Sequence, residues 1–257
     1  MPPRRSAARH DHDAGGDPGL LARKAALREE VWADLDRPGV ARFPKPANRI
    51  PNFVGAEAAA RRLAGTEEWK GAATLKANPD SPQWPVRQRA LVDGKVVYMA
   101  VPRLAEANPF FLLDPAHLAD DPRTASSIKG AARSARTVDV DELEPVDLVV
   151  TGCVAVDGSG ARLGKGGGFS DLELAVAAGA GLVDEHTVVV TTVHERQVLA
   201  PGTVTTTDHD IHVDVVVTPD RVLRCRRARG WHLPALCWDD LTPEKIAAIP
   251  LLQRLRS

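Results

Sequence analysis

Leu20, Leu21, Ala25, Leu27, Val31 and Leu35 recur at three- and four-residue intervals until Pro38, which predicts a helix with one buried stripe. A proline-rich stretch (RFPKPANRIPNF) separates it from an alanine-rich helix predicted at residues 54–63. The pattern then changes to short runs of β-branched and aliphatic residues at 72–75, 96–101, 146–151, 187–193 and 213–218, with a further run at 222–225. Several are apolar at successive positions, as strands covered on both faces must be, and helix-like stretches at 86–92 and 171–180 lie between them. The expected fold is therefore α/β: three layers, with an open, mostly parallel sheet flanked by helices. A Thr242-Pro243 start predicts a last helix packed on the domain.

Composition narrows the class. The chain has 257 residues and is 44% hydrophobic, enough for one sizeable domain, expected at residues 19–230 with a helical extension at 231–257. Residues 1–18 carry too little apolar surface to fold and are expected to be a disordered tail. Lys plus Arg, 33, against Asp plus Glu, 34, removes the global field that would draw nucleic acid or an anionic membrane. Cys153, Cys225 and Cys237 form neither a disulfide framework nor a zinc pattern, and a cytoplasmic setting is expected. No apolar run has the roughly 20 residues of a membrane helix, nor does the amino terminus have the apolar core of a signal peptide.

The segment richest in chemistry is Arg162-Leu163-Gly164-Lys165-Gly166-Gly167-Gly168-Phe169-Ser170-Asp171. Glycines at 164, 166, 167 and 168 are costly to order unless the backbone must adopt positive φ or approach a ligand closely. Free N–H groups in such a loop can cradle phosphate oxygens, and Ser170 with Glu173 has the spacing of a capping box, so a helix amino terminus would face the same anion. A sharp glycine turn with a capped helix explains the same residues, and spacing alone leaves both readings open. The order matches neither the Walker loop nor the dinucleotide fingerprint. Two other patterns are set aside. The spacing of His194, His209, His212, Asp208 and Asp210 is too loose for a metal site, and the Arg221–Trp231 basic stretch suits a solvated edge strand better than an RNA contact.

This segment resembles the Arg-x-Gly-x-Gly-Gly-Gly-Tyr-Tyr-Asp-Arg signature of 5-formyltetrahydrofolate cyclo-ligases, also called methenyltetrahydrofolate synthetases. Lys24-Ala-Ala-Leu-Arg28 resembles the family's first-helix Lys-x-x-Leu-Arg, and Asp208-His209-Asp210, Val213-Asp214 and Thr218-Pro219 follow in family order. Arg49-Ile-Pro-Asn-Phe53, Asn78-Pro-Asp-Ser-Pro-Gln83 and Val101-Pro-Arg-Leu104 resemble a divergent branch, the methenyltetrahydrofolate synthetase domain-containing proteins.

The resemblance implies ATP and Mg²⁺ as cofactors and a reduced folate as substrate, in a monomer or homodimer. ATP phosphorylates the formyl oxygen of 5-formyltetrahydrofolate, N10 attacks the activated carbon, and phosphate leaves to give 5,10-methenyltetrahydrofolate and ADP. It implies that Lys24, Arg28, Arg162 and Lys165 neutralise phosphates, that Gly164, Gly166, Gly167, Gly168, Phe169 and Asp171 line the nucleotide site, that Asp171 carries Mg²⁺ and that Asp80 stands at the folate-side carboxylate. Without the resemblance, Lys24 and Arg28 read as a solvated helical face, Asp171 as a first-turn acid and Asp80 as a turn residue. Ser170 and Leu172 replace the signature's second tyrosine and final arginine. That departure makes a non-catalytic nucleotide- or RNA-binding homologue of the same fold the alternative.

Overall fold

A computed structural model describes residues 17–207, 210–225 and 235–256. The Arg226, Arg227, Arg229 and Trp231 positions of the basic stretch, Asp208 and His209, and the tail through residue 16 lie outside the described residues. The first helix, α1 (Pro18–Leu35), begins earlier than the tail expected at 1–18 allowed: Asp17 accepts the Gly19 N–H at 3.0 Å, and Pro18 stands in the first turn, where its missing N–H costs nothing. The helices that follow are α2 (Ala56–Ala64), α3 (Glu67–Gly71), α4 (Trp84–Val92), α5 (Pro122–Ala125), α6 (Ile128–Ser134), α7 (Phe169–Gly179), α8 (Pro243–Ala248) and α9 (Pro250–Arg256).

Among the described residues eight strands form the main sheet: β1 (Thr74–Ala77), β2 (Val96–Ala100), β3 (Phe110–Leu113), β4 (Arg136–Val138), β5 (Leu148–Val150), β8 (Val188–Thr192), β10 (Val215–Val217) and β11 (Val222–Arg224). A second sheet holds β6 (Ala155–Asp157), β7 (Arg162–Leu163) and β9 (Val198–Leu199). The main order is β11-β10-β8-β5-β1-β2-β3-β4, parallel from β10 through β2 and antiparallel at both edges. All the expected strands are present. The antiparallel β3 and β4 and the small sheet were not expected, because runs of two to four residues lack a period that separates strand from loop.

Alternation along the strands makes the three layers. Leu148 and Val150 join Val97 and Met99 in one apolar cluster, whereas Val149, Tyr98 and Val216 join another. Ile246, Ile249, Leu251 and Leu252 of the carboxyl-terminal helices belong to this second cluster. The small sheet is keyed to β10 through Gly160 (φ +91°), whose carbonyl accepts the Val213 N–H at 2.9 Å. A Cβ there would lie 2.3 Å from the Val213 oxygen, so only glycine fits.

Asp147 ties the start of β1 to that of β5 by accepting the Ala73 and Thr74 N–H groups at 2.7 and 3.0 Å. Burial opposes its charge, but these N–H donors and the Thr74 hydroxyl outweigh it and hold the carboxyl below its ordinary value. Its contribution is therefore complete above the ordinary carboxylate range and lost as pH falls through the lower folded value. Asp147→Asn is expected to cost about 1–3 kcal/mol at neutral pH, a deficit that shrinks in acid, measured by urea unfolding across pH.

Candidate functional site

A cleft of about 1260 Å³ opens at the carboxyl ends of β1 and β2, where an open α/β sheet ordinarily binds ligands. Its walls come from α1 (Arg28, Trp32), the 44–52 segment, the turn after β1 (Asn78, Pro79, Asp80), the turn after β2 (Pro102, Arg103), the glycine-rich loop and α8 (Glu244, Lys245).

The loop joins β7 to α7. Gly166 (φ +98°) and Gly168 (φ +61°) take the left-handed conformation, and Gly168 is the helix N-cap. Ser170 is not the cap that its spacing suggested. It lies inside the helix, where its hydroxyl accepts from Asn78 Nδ2 at 3.2 Å, while Glu173 turns to the buried ammonium of Lys76. Among the described residues no side chain caps α7. As a result, among the described residues the backbone N–H groups from Lys165 through Asp171 donate to no protein acceptor.

Two cations from distant parts of the chain hold the loop by its carbonyls. Arg28 Nε donates to the Gly164 oxygen at 2.8 Å, and Lys245 Nζ donates to the Gly167 oxygen at 3.0 Å. Both residues are buried. Because N–H and C=O of a trans peptide point opposite ways, engaging the carbonyls directs the following N–H groups away from those cations. Arg162, only 3% exposed, donates to the Gly152 oxygen at 3.1 Å and to Asp171 Oδ1 at 2.6 Å, and its Nε has no partner among the described residues. Burial opposes the Arg162 charge, but Asp171 and Cys153 beside it override that and raise its pKa above the ordinary guanidinium value.

Asp171 takes both of its contacts, Arg162 and the Ile211 N–H at 3.0 Å, on Oδ1. A single carboxylate suits Mg²⁺ when nucleotide phosphates complete the shell, and among the described residues no three His, Cys, Asp or Glu side chains gather as a protein-only metal site.

The remaining candidates are placed differently. Lys24 is buried, does not line the cleft, and pairs with Asp210 Oδ2 at 2.6 Å. Instead of the expected reach to the loop, its ammonium holds Asp210, next to Ile211, whose N–H meets Asp171. Asp80 and Lys165 both line the cleft and pair with each other at 3.0 Å, which joins the folate-side and phosphate-side candidates across it. Lys165 is half-exposed, so this pair is weak.

Sequence reasoning missed the floor of the site. Lys76 and Glu173 form a buried ion pair, and Asn78 Nδ2 donates to the same Glu173 oxygen at 2.8 Å. Burial holds the Glu173 carboxyl above its ordinary value even though Lys76 opposes that shift. Arg87, fully buried, donates to the carbonyls of Asn78, Pro79 and Asp80 and so fixes the turn that carries them. Burial depresses its pKa to about 10. A charge inside an apolar double-covered strand was the available signal for Lys76. Lys245 offered none beyond its helix start.

Outside the cleft, Arg221 and Arg224 pair with Glu195 and Glu68, as suits an edge strand. No described helix is long and apolar enough to cross a membrane.

The chain is similar to known proteins. Residues 19–219 match the 5-formyltetrahydrofolate cyclo-ligase family. The methenyltetrahydrofolate synthase domain-containing proteins of Bos taurus and Homo sapiens are 36% and 33% identical over 245 and 238 residues, 93% and 91% of this chain. The chain spans 63% and 61% of those relatives' lengths. The NMR structure of Aquifex aeolicus 5,10-methenyltetrahydrofolate synthetase, 21% identical, covers 80% of this chain and 95% of its own with a TM-score of 0.51, which supports the fold.

Proposed function

The chain belongs to the 5-formyltetrahydrofolate cyclo-ligase family, and from that premise we propose that it carries out ATP-dependent closure of 5-formyltetrahydrofolate to 5,10-methenyltetrahydrofolate, releasing ADP and phosphate. The observation that carries this reading is the run of undonated N–H groups from Lys165 to Asp171, at the start of α7 and inside the cleft. Such a run at a helix amino terminus is a ready site for an anion.

Phosphoryl transfer asks a protein mainly to align its reactants and neutralise oxygen charge, so no covalent nucleophile is needed. Cys153 fits none, since burial pushes its thiol up to about 11. The loop amides and the α7 amino terminus bind phosphate oxygens, Arg28 and Lys245 keep the loop in shape, and Arg162 orients Asp171 while its unpartnered Nε supplies a further donor. Asp171 would hold Mg²⁺, which supplies charge neutralisation on the polyphosphate when bound. Asn78 and Asp80, fixed by Arg87, meet the folate on the opposite wall. A cytoplasmic setting accords with this chemistry.

Mg-ATP in hundredfold excess over its Kd is expected to raise the stability of the protein by about 2.7 kcal/mol, read as an upward shift of Tm. A Tm unmoved at millimolar Mg-ATP removes the nucleotide site and with it the reaction. A shift with ATP but no turnover favours the non-catalytic homologue, the reading for which the Leu172 and Ser170 departures speak.

A further inference from the structure

We propose that α8 is part of the nucleotide site and that Lys245 is a positioning residue for the bound polyphosphate. The inference rests on the nucleotide reading above and goes beyond it, because residue 245 lies outside the 19–219 segment that the family accounts for. Lys245 is 9% exposed and lines the cleft. Its ammonium is 3.0 Å from the Gly167 oxygen and 5.3 Å from the centre of the Phe169 ring, so it touches the loop on both sides of the α7 N-cap.

The physical consequence is local. A Gly167 carbonyl without this contact would be free to turn its negative end toward an anion in the loop, and the ammonium holds it away. Through the trans peptide, the same contact points the Gly168 N–H the opposite way, away from the ammonium. The positive charge also adds to the field at the α7 amino terminus.

Packing explains how a lysine so late in the chain reaches this place. Thr242 caps α8 by accepting the Lys245 N–H at 3.1 Å, and Ile246 and Ile249 enter the apolar cluster that also contains Leu172. Leu172 is 5% exposed and occupies the position at which the signature carries an arginine. An apolar residue there favours seating α8, and α8 returns a cation to the same loop.

The test compares wild type, Lys245→Met and Lys245→Arg in the full chain, with Mg-ATP affinity measured by titration calorimetry and Tm without ligand as the control. Methionine keeps the aliphatic stem over Phe169 but removes the charge. The expected result is at least a tenfold weaker Kd for Lys245→Met with little change in ligand-free Tm, and recovery to within threefold of wild type in Lys245→Arg. A Lys245→Met variant that is folded and binds Mg-ATP within twofold of wild type overturns the inference. If that variant does not fold, Lys245→Gln, which keeps a donor for the Gly167 carbonyl without the charge, is read by the same criteria. Absence of Mg-ATP binding by folded wild type defeats the nucleotide reading itself, and the inference with it.

Discussion

Lys76→Met is expected to destabilise the protein by about 3–5 kcal/mol at neutral pH, because it leaves the Glu173 carboxylate buried without its counter-ion. The pH dependence identifies the cause. Burial already raises the Glu173 pKa, and losing Lys76 removes an influence that lowers it. A carboxyl whose folded pKa lies above its unfolded value favours the folded state at low pH and loses that contribution as pH rises through the folded value. The deficit of Lys76→Met should therefore shrink on acidification and grow toward alkaline pH. Adding Glu173→Gln, which keeps an acceptor for Asn78 Nδ2, should recover most of the loss. Urea unfolding of the two variants at several pH values measures both effects. A pH-independent loss that the second substitution fails to relieve would mean that packing of the lysine stem is what was lost.

The second large effect concerns Arg162. Its guanidinium spans from the Gly152 carbonyl to Asp171, a geometry that a lysine's single nitrogen cannot reproduce. Arg162→Lys should release Asp171 from its fixed position and remove the donor at Nε. On the proposed mechanism, ATP turnover is expected to fall on the order of 10²–10³-fold, the usual cost of one preorganised donor at a site of charge development. Steady-state ADP release checks this, with circular dichroism as the control for folding. A loss below about tenfold would make Arg162 a structural residue only.

These two residues also mark where sequence reading succeeded and where it stopped. The parallel centre of the sheet was legible because β5 and β10 are buried along their whole length and so read as unbroken apolar runs. β3 and β4 were not, since their partners are fixed by tertiary pairing rather than by a local period. Arg162 was legible through the signature around it. Lys76 was hidden, because its meaning depends on Glu173, 97 residues away, turning inward.

Ser170 shows a local rule overridden. The Ser170–Glu173 spacing fits a capping box, but Asn78 and Lys76 compete for those side chains and Gly168 takes the cap position with no side chain at all. Lys24 shows a similar displacement: it shares a face with Arg28, yet Asp210 captures its ammonium. Lys245 belongs to a segment whose sequence carries only a helix start, and its place at the loop follows from the apolar seat of α8.

The proposed reaction is read most directly as ADP release from Mg-ATP by the purified full chain, with and without 5-formyltetrahydrofolate, while formation of 5,10-methenyltetrahydrofolate is followed in the same reaction. Cyclo-ligase activity requires ADP release that depends on the folate and equals the methenyl product mole for mole. ADP release indifferent to the folate, or none from a protein that binds Mg-ATP, would contradict it.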